Sequence, residues 1–287
     1  MAVIIDGKQI AQSVKEQLKG KVSDFLTKYN HQITLAVILV GENPASKVYV
    51  KNKITATEYV GMKSLSFHLP ETSSQAEVES LIESLSNDNG VDGILVQLPL
   101  PKHLDENKIL SKIPANKDVD GFLAQNVGNL LLGQPATVAC TPFGVIKMLK
   151  SQNIELSGKN AVVIGRSNMV GKPVASLLLQ KNCTVTTCHS KTDDIKKFSS
   201  EADILVVAIG RANFVTADMV KEGAVVVDVG INRVDGKLYG DVEFEGVSKK
   251  ASYITPVPGG VGPMTVTMLM YNTVLAAFRS KNADDFQ

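Results

Sequence analysis

A chain of 287 residues, 44% apolar and 21% charged, has room for one large α/β domain or two of medium size. Its net charge of +1 gives no long-range field to gather nucleic acid or an acidic membrane surface, so anionic ligands have to be caught by local groups. The three cysteines, Cys140, Cys183 and Cys188, lack C-x-x-C spacing, and no apolar run approaches the ~20 residues of a bilayer span; the expectation is a cytoplasmic protein without metal, nucleic-acid or membrane partners.

The N-terminus, MAVIIDGKQIAQS, has no basic leader or small-residue cleavage site. Beyond it, apolar β-branched runs alternate with helical patterns, which predicts parallel sheets with crossover helices. In the first half the predicted helices cover 8–29, 44–60, 74–87 and 103–112, and the strands 33–40, 63–69 and 92–98. A helix over 141–152 bridges to strands at 160–165, 183–189, 202–209 and 224–229. An extended run at 251–257 leads through a Pro/Gly loop into a helix over 264–279 that is apolar around most of its circumference, hence buried. The tail 282–287 reads as frayed. The expected domains are 1–140 with 264–287, and 141–263.

Chemistry concentrates at a few points along this order. Asn43-Pro44 is a helix start and Gly61 a stop; Ala45, Tyr49, Lys53, Ala56 and Val60 fall on one face between them. A lysine within such a stripe snorkels to water or faces a ligand, where a cationic neighbour would lower its pKa. Gln97, at the proline-stiffened exit VQLPLP, can donate and accept; Asp118 and Asp120 share the polar turn KDVDGF, where either could simply anchor the turn.

Strand 160–165 ends in Gly165-Arg166-Ser167, with Gly171 and Lys172-Pro173 opening a helix. Glycines there allow a tight turn, and the helix N-terminus offers N–H groups to phosphate. Ser167 replaces the second glycine of G-x-G-x-x-G, so this is a variant turn. The next strand ends Thr187-Cys188-His189-Ser190-Lys191, without the carboxylate that an NAD site carries about 20 residues on. Arg166 and Ser190 suit the extra phosphate of NADP. Residues 255–265, with three prolines and three glycines between Thr255 and Thr265, combine stiffness with exposed backbone, which suits a ligand platform between domains.

Ser46/Tyr49/Lys53, VQLPLP, KDVDGF, CTPFG, GRSNMVGKP, CHSKT and PVPGGVGPMT, in order along nearly the whole chain, resemble the bifunctional methylenetetrahydrofolate dehydrogenase/methenyltetrahydrofolate cyclohydrolase family. The resemblance implies a two-domain α/β fold: a Rossmann-like NADP domain with a parallel sheet, and an N-terminal substrate domain completed by the C-terminal helix. It implies NADP-dependent oxidation of 5,10-methylenetetrahydrofolate and hydrolysis of the product to 10-formyltetrahydrofolate, by a homodimer. Carried over residue by residue, Lys53 activates water, Tyr49 and Gln97 orient it, and Asp120 binds the pterin edge. Pro258, Gly259, Gly260 and Val261 line the folate, while Gly165, Arg166, Ser167, Ser190, Ile231 and Thr265 hold NADP. The alternatives are a relative with the dehydrogenase step alone, another dehydrogenase of similar plan such as one acting on shikimate, and a non-catalytic NADP-binding module.

Overall fold

The computed structural model describes residues 1–283. In chain order it contains β1 (Val3–Ile4), α1 (Gly7–Tyr29), β2 (Thr34–Val40), α2 (Pro44–Tyr59), β3 (Lys63–Leu69), α3 (Gln75–Asn87) and β4 (Gly93–Val96). Three helices follow, α4 (Glu106–Ser111), α5 (Ala124–Leu131) and α6 (Cys140–Ser151). Then come β5 (Asn160–Ile164), α7 (Gly171–Gln180), β6 (Thr184–Cys188), α8 (Ile195–Ser199), β7 (Ile204–Val207) and β8 (Val225–Asp228). The chain closes with β9 (Asn232–Val234), β10 (Lys237–Tyr239), α9 (Phe244–Lys250), β11 (Tyr253–Ile254) and α10 (Val261–Ser280).

The chain divides into two compact units. The first comprises Ser13–Gly128, Ala136–Val138 and the chain from Val266 on; the second comprises Met1–Gln12, Asn129–Pro135 and Ala139–Thr265. Met1–Gln12 joins the second unit because β1 pairs in parallel with β11 at the sheet edge.

The first unit is built on a parallel sheet ordered β3-β2-β4. All seven residues of β2 are buried, as expected of a strand covered on both faces. Ala36, Ile38, Ile94 and Val96 pack with Val78 and Ile82 of α3 and with Ile109. α10 contributes Met268, Leu269, Met270 and Val274, each at most 1% exposed. Phe278 packs on Phe25 with ring centroids 4.8 Å apart and planes tilted by 43°. By length and composition α10 could cross a membrane, which corrects the reading that no run comes near that length; 61% of its most apolar window is buried inside the protein.

The second unit carries a six-stranded parallel sheet, β1-β11-β8-β7-β5-β6. Its near-continuous apolar strands make the core: Val162, Ile164, Leu205, Val207 and Val226 are at most 1% exposed. β6 is an unpaired edge.

Several local expectations change. Run 251–257 shrinks to the two paired residues of β11, because the proline-rich stretch beyond cannot supply ladder donors. Helix 264–279 begins earlier, at Val261, with Pro263 in its first turn where the missing N–H costs nothing. The antiparallel β9–β10 hairpin and the helices α5, α8 and α9 appear where no element was expected. Of the tail, 284–287 lies outside the described residues.

α2 shows how sequence chemistry sets one boundary. Asn43 Oδ1 accepts from the N–H groups of Ala45 and Ser46, Pro44 occupies the first turn, and Gly61 takes φ +84° just past the end. Within the helix Ser46, Val50 and Thr57 are buried, and of the Ala45–Val60 stripe Val60 is buried as well. Thr57 can be buried because its hydroxyl donates to Lys53 O within the helix, removing its polarity. Asn43→Ala should lower stability by about 1 kcal/mol, read as a lower thermal midpoint; an unchanged midpoint would show that the cap contributes nothing.

Candidate functional site

Functional side chains gather at the carboxyl ends of the strands within each unit. In the first unit, Gln97 follows β4 directly and is 9% exposed. Its Oε1 accepts from Lys53 Nζ at 3.0 Å, and its Nε2 donates to Leu98 O at 2.6 Å. The amide is thereby locked in one orientation, with the ammonium group of α2 held at the strand end. Tyr49, one turn before Lys53, is 53% exposed.

The two aspartates of the KDVDGF turn separate into different tasks. Asp118 is buried and accepts from Gly121 N, Leu123 N and Asn126 Nδ2 at 3.0, 3.0 and 2.8 Å, so it anchors the turn. Lys117 Nζ donates to the carbonyls of Leu85, Ser86 and Asp88 at the end of α3. Asp120 lines a small cavity with Ile94, Val96, Phe122 and Leu123. Burial there pushes its carboxyl up to about 6, against the pull of the Lys53 charge and with a push from Asp118. Lys53 is thus linked to Gln97 by a hydrogen bond and to Asp120 by charge attraction.

In the second unit, β5 turns at Gly165 with φ +127°, where a Cβ would lie 2.3 Å from Ala208 O; a Cβ on Gly171 would lie 2.3 Å from Gly165 O. Both positions therefore demand glycine. Gly165 N donates to Cys188 O, which ties the turn to the end of β6 and brings exposed Arg166 and Ser190 onto the same sheet edge. Ser190 sits in a turn closed by Thr192 N to His189 O and Lys191 N to His189 Nδ1.

The expected supply of free N–H groups at the start of α7 is corrected. Ser167 Oγ accepts from Val170 N and Gly171 N, and Ser167 O accepts from Lys172 N. Pro173 has no N–H, and Val174 N bonds to Val170 O. Ser167 thus caps the helix from inside the loop. The donors it leaves for an anion are side chains and the residues at the turn itself.

The Pro/Gly loop forms one wall of a cavity of about 190 Å³. Ile231, Pro258, Gly259, Gly260 and Val261 meet there, with Lys8, which the sequence did not single out. Lys8 N donates to Gly259 O, and Gly7 lies so close that a Cβ on it would be 1.7 Å from Gly260 O. Thr265 is engaged elsewhere, hydrogen-bonded to Thr141 at 2.9 Å.

Asp228, at the end of β8, lines the same cavity and was also not anticipated. Burial pushes its carboxyl up to about 7, against hydrogen bonds from Asp241 N, Val242 N and Gly230 N, and with help from the Asp241 charge. An acid whose folded pKa exceeds its unfolded value, about 3.9, favours the folded chain below that value and loses this contribution as pH rises to about 7. Asp228→Asn should therefore flatten the decline in unfolding free energy between about pH 4 and about pH 7, measured by urea unfolding. A slope identical to that of the unaltered chain would show that Asp228 is not the titrating group.

Residues 5–120 match the sequence model of the tetrahydrofolate dehydrogenase/cyclohydrolase catalytic domain, and 139–281 that of the family's NAD(P)-binding domain. A bifunctional protein FolD from Agathobacter rectalis is 55% identical over 280 residues, covering 97% of this chain and 100% of that one. The crystal structure of the bifunctional FolD methylenetetrahydrofolate dehydrogenase/cyclohydrolase from Campylobacter jejuni superposes with a TM-score of 0.95 at 52% identity, covering 98% and 100%. That of Trypanosoma brucei FolD, complexed with NADP cofactor and inhibitor, superposes with a TM-score of 0.93 at 39% identity, covering 98% and 99%. With both family domains matched in order along the chain, and relatives aligned from end to end, this chain belongs to the tetrahydrofolate dehydrogenase/cyclohydrolase family.

Proposed function

We propose that this chain oxidises 5,10-methylenetetrahydrofolate to 5,10-methenyltetrahydrofolate with NADP and then hydrolyses the product to 10-formyltetrahydrofolate. The observation that carries the reading is the Lys53 Nζ–Gln97 Oε1 pair at 3.0 Å, within a domain matched to the family's catalytic domain.

The residues of the second unit fit NADP. The turn at Gly165 and the end of β6 set Arg166 and Ser190 on one edge, a cation and a hydroxyl without an intervening carboxylate, which suits a 2′-phosphate. Gly165 and Ser167 shape the turn, Ile231 lines the cavity beside Pro258, Gly259, Gly260 and Val261, and Thr265, hydrogen-bonded to Thr141, keeps bonding capacity for the cofactor. When bound, NADP supplies the hydride acceptor. The protein's task in that step is positioning, since hydride leaves the bridge carbon without a dedicated base.

Hydrolysis needs proton handling, and here the first unit acts. Water adds to the methenyl carbon and both of its protons leave the oxygen as the formyl C=O forms, one reaching the ring nitrogen when the C–N bond opens and one released to solvent. Lys53 is the group that moves a proton here, and its Nζ is held by Gln97. Asp120, with its carboxyl at about 6, is mostly ionised at neutral pH and accepts from the N–H groups of the pterin edge. Tyr49 is free to close over the substrate from its exposed position. The partners are tetrahydrofolate derivatives and a second copy of the chain, for which the unpaired β6 edge and Leu179, 60% exposed, offer surface. The setting is cytoplasmic, without nucleic acid or membrane.

Supplied with NADP and 5,10-methylenetetrahydrofolate, the chain should produce NADPH and a transient methenyl absorbance; absence of NADPH rejects the reading. Lys53→Met should slow ring opening by at least about 100-fold, the range for a lost general acid–base group, while the hydride step keeps more of its rate. Equal loss of both would mean that Lys53 serves binding alone. Ser190→Asp should weaken NADP by about tenfold or more and NAD much less, as like charge meets the 2′-phosphate. An unaltered preference would take Ser190 out of the site.

A further inference from the structure

Two buried carboxylates lie behind the second unit's cavity, and the reactions above use neither. Asp241 is 0% exposed. It accepts from Ile209 N at 2.7 Å, Gly210 N at 3.0 Å, Arg211 N at 2.8 Å and Asn232 Nδ2 at 2.9 Å. Three consecutive backbone N–H groups converging on an anion form a nest, a device that elsewhere captures phosphate. Here the anion is the protein's own, and all four of these donors are neutral.

Asp228, 3% exposed, continues the chain of contacts. Its oxygens accept from Gly230 N at 3.0 Å and from Asp241 N and Val242 N, both at 2.9 Å. Its own N–H donates at 2.8 Å to Thr255 Oγ1, at the start of the Pro/Gly loop. Glycines make room for this: a Cβ on Gly240 would stand 1.8 Å from Asp228 Oδ2, and one on Gly230 2.2 Å from Asp241 Oδ1. The loop after β7, the loop after β8 and the hairpin are thus joined through two side chains, and the main chain of Asp228 is tied to the Pro/Gly loop, at the carboxyl ends of the strands, where open α/β sheets bind their ligands.

Burying a carboxylate without a cation is expensive and is tolerated only where hydrogen bonds satisfy every lone pair. Tethering one surface loop to another does not call for that expense. We infer that Asp241, acting through Asn232 and Asp228, is a positioning residue for the nucleotide half-site: it fixes the 229–232 loop, and with it Ile231, against the wall formed by Pro258 to Val261. This rests on the proposed NADP reading. Its effect falls on cofactor affinity, because the loops it joins belong to the second unit, while Lys53 and Gln97 belong to the first.

The test uses the full-length chain and NADPH as probe. NADPH dissociation constants are measured by fluorescence titration, and hydrolysis of supplied 5,10-methenyltetrahydrofolate is followed separately. Asp241→Asn keeps the volume but turns an amide N–H group towards N–H donors. It should raise the NADPH dissociation constant by about tenfold or more while hydrolysis falls far less. Asn232→Ala, which removes one donor of four and leaves the nest, should raise it by about threefold and decides the matter if Asp241→Asn does not fold. Unaltered NADPH affinity in Asn232→Ala, or affinity and hydrolysis falling by one common factor in either variant, overturns the inference. No NADPH binding by the unaltered chain overturns the NADP reading and the inference with it, and that failure is told apart by appearing before any substitution is made.

Discussion

The constraint on which everything else rests is the burial of parallel strands on both faces. In β2, β5, β7 and β8 almost every side chain is apolar and inaccessible, so no group along their length is available for chemistry. Polar function is forced to the strand ends. Gln97 follows β4, Arg166 follows β5, Ser190 follows β6, the 209–211 loop follows β7, and Asp228 closes β8. Each unit thereby collects its working residues along one edge of its sheet, on loops whose backbone groups still need partners.

Those partners are supplied in two ways. Carboxylates at Asp118, Asp228 and Asp241 are spent on backbone N–H groups and become part of the scaffold. Asp120, by contrast, stays against an apolar wall with the Lys53 charge as its main relief, so its proton affinity remains adjustable. Hydrogen bonds alone do not set proton affinity: Asp228, with three main-chain donors, is pushed up to about 7, further than Asp120.

Much of this was legible in the sequence. The run KSLSFHL became β3 residue for residue, and Asn43-Pro44 with Gly61 bracketed α2 as expected, because capping and strand periodicity are local effects. The buried positions Ser46 and Thr57 of α2 were not legible, since Thr57 counts as polar until its hydrogen bond to Lys53 O is known. The β9–β10 hairpin had a readable signal in Asp235-Gly236, both at positive φ, flanked by short alternating runs. The Asp228–Asp241 connection had none. A buried carboxylate looks like a surface one until long-range folding delivers its donors. Ser167 likewise looked like a ligand group, and only the geometry shows it capping α7.

That cap bears on how the nucleotide edge works in salt. In a phosphate cradle made of main-chain amides, the attraction is short-ranged and shielded by the protein itself. Here Ser167 and Pro173 leave the first turn of α7 without donors to spare, so an anion at this edge would meet the turn residues and the exposed side chains of Arg166 and Ser190. Salt weakens attraction at such an edge, because solvent-exposed charges are screened more than buried ones. Under the proposed reading, affinity for the dinucleotide would be tied to the ionic strength of the surroundings as well as to the shape of the turn.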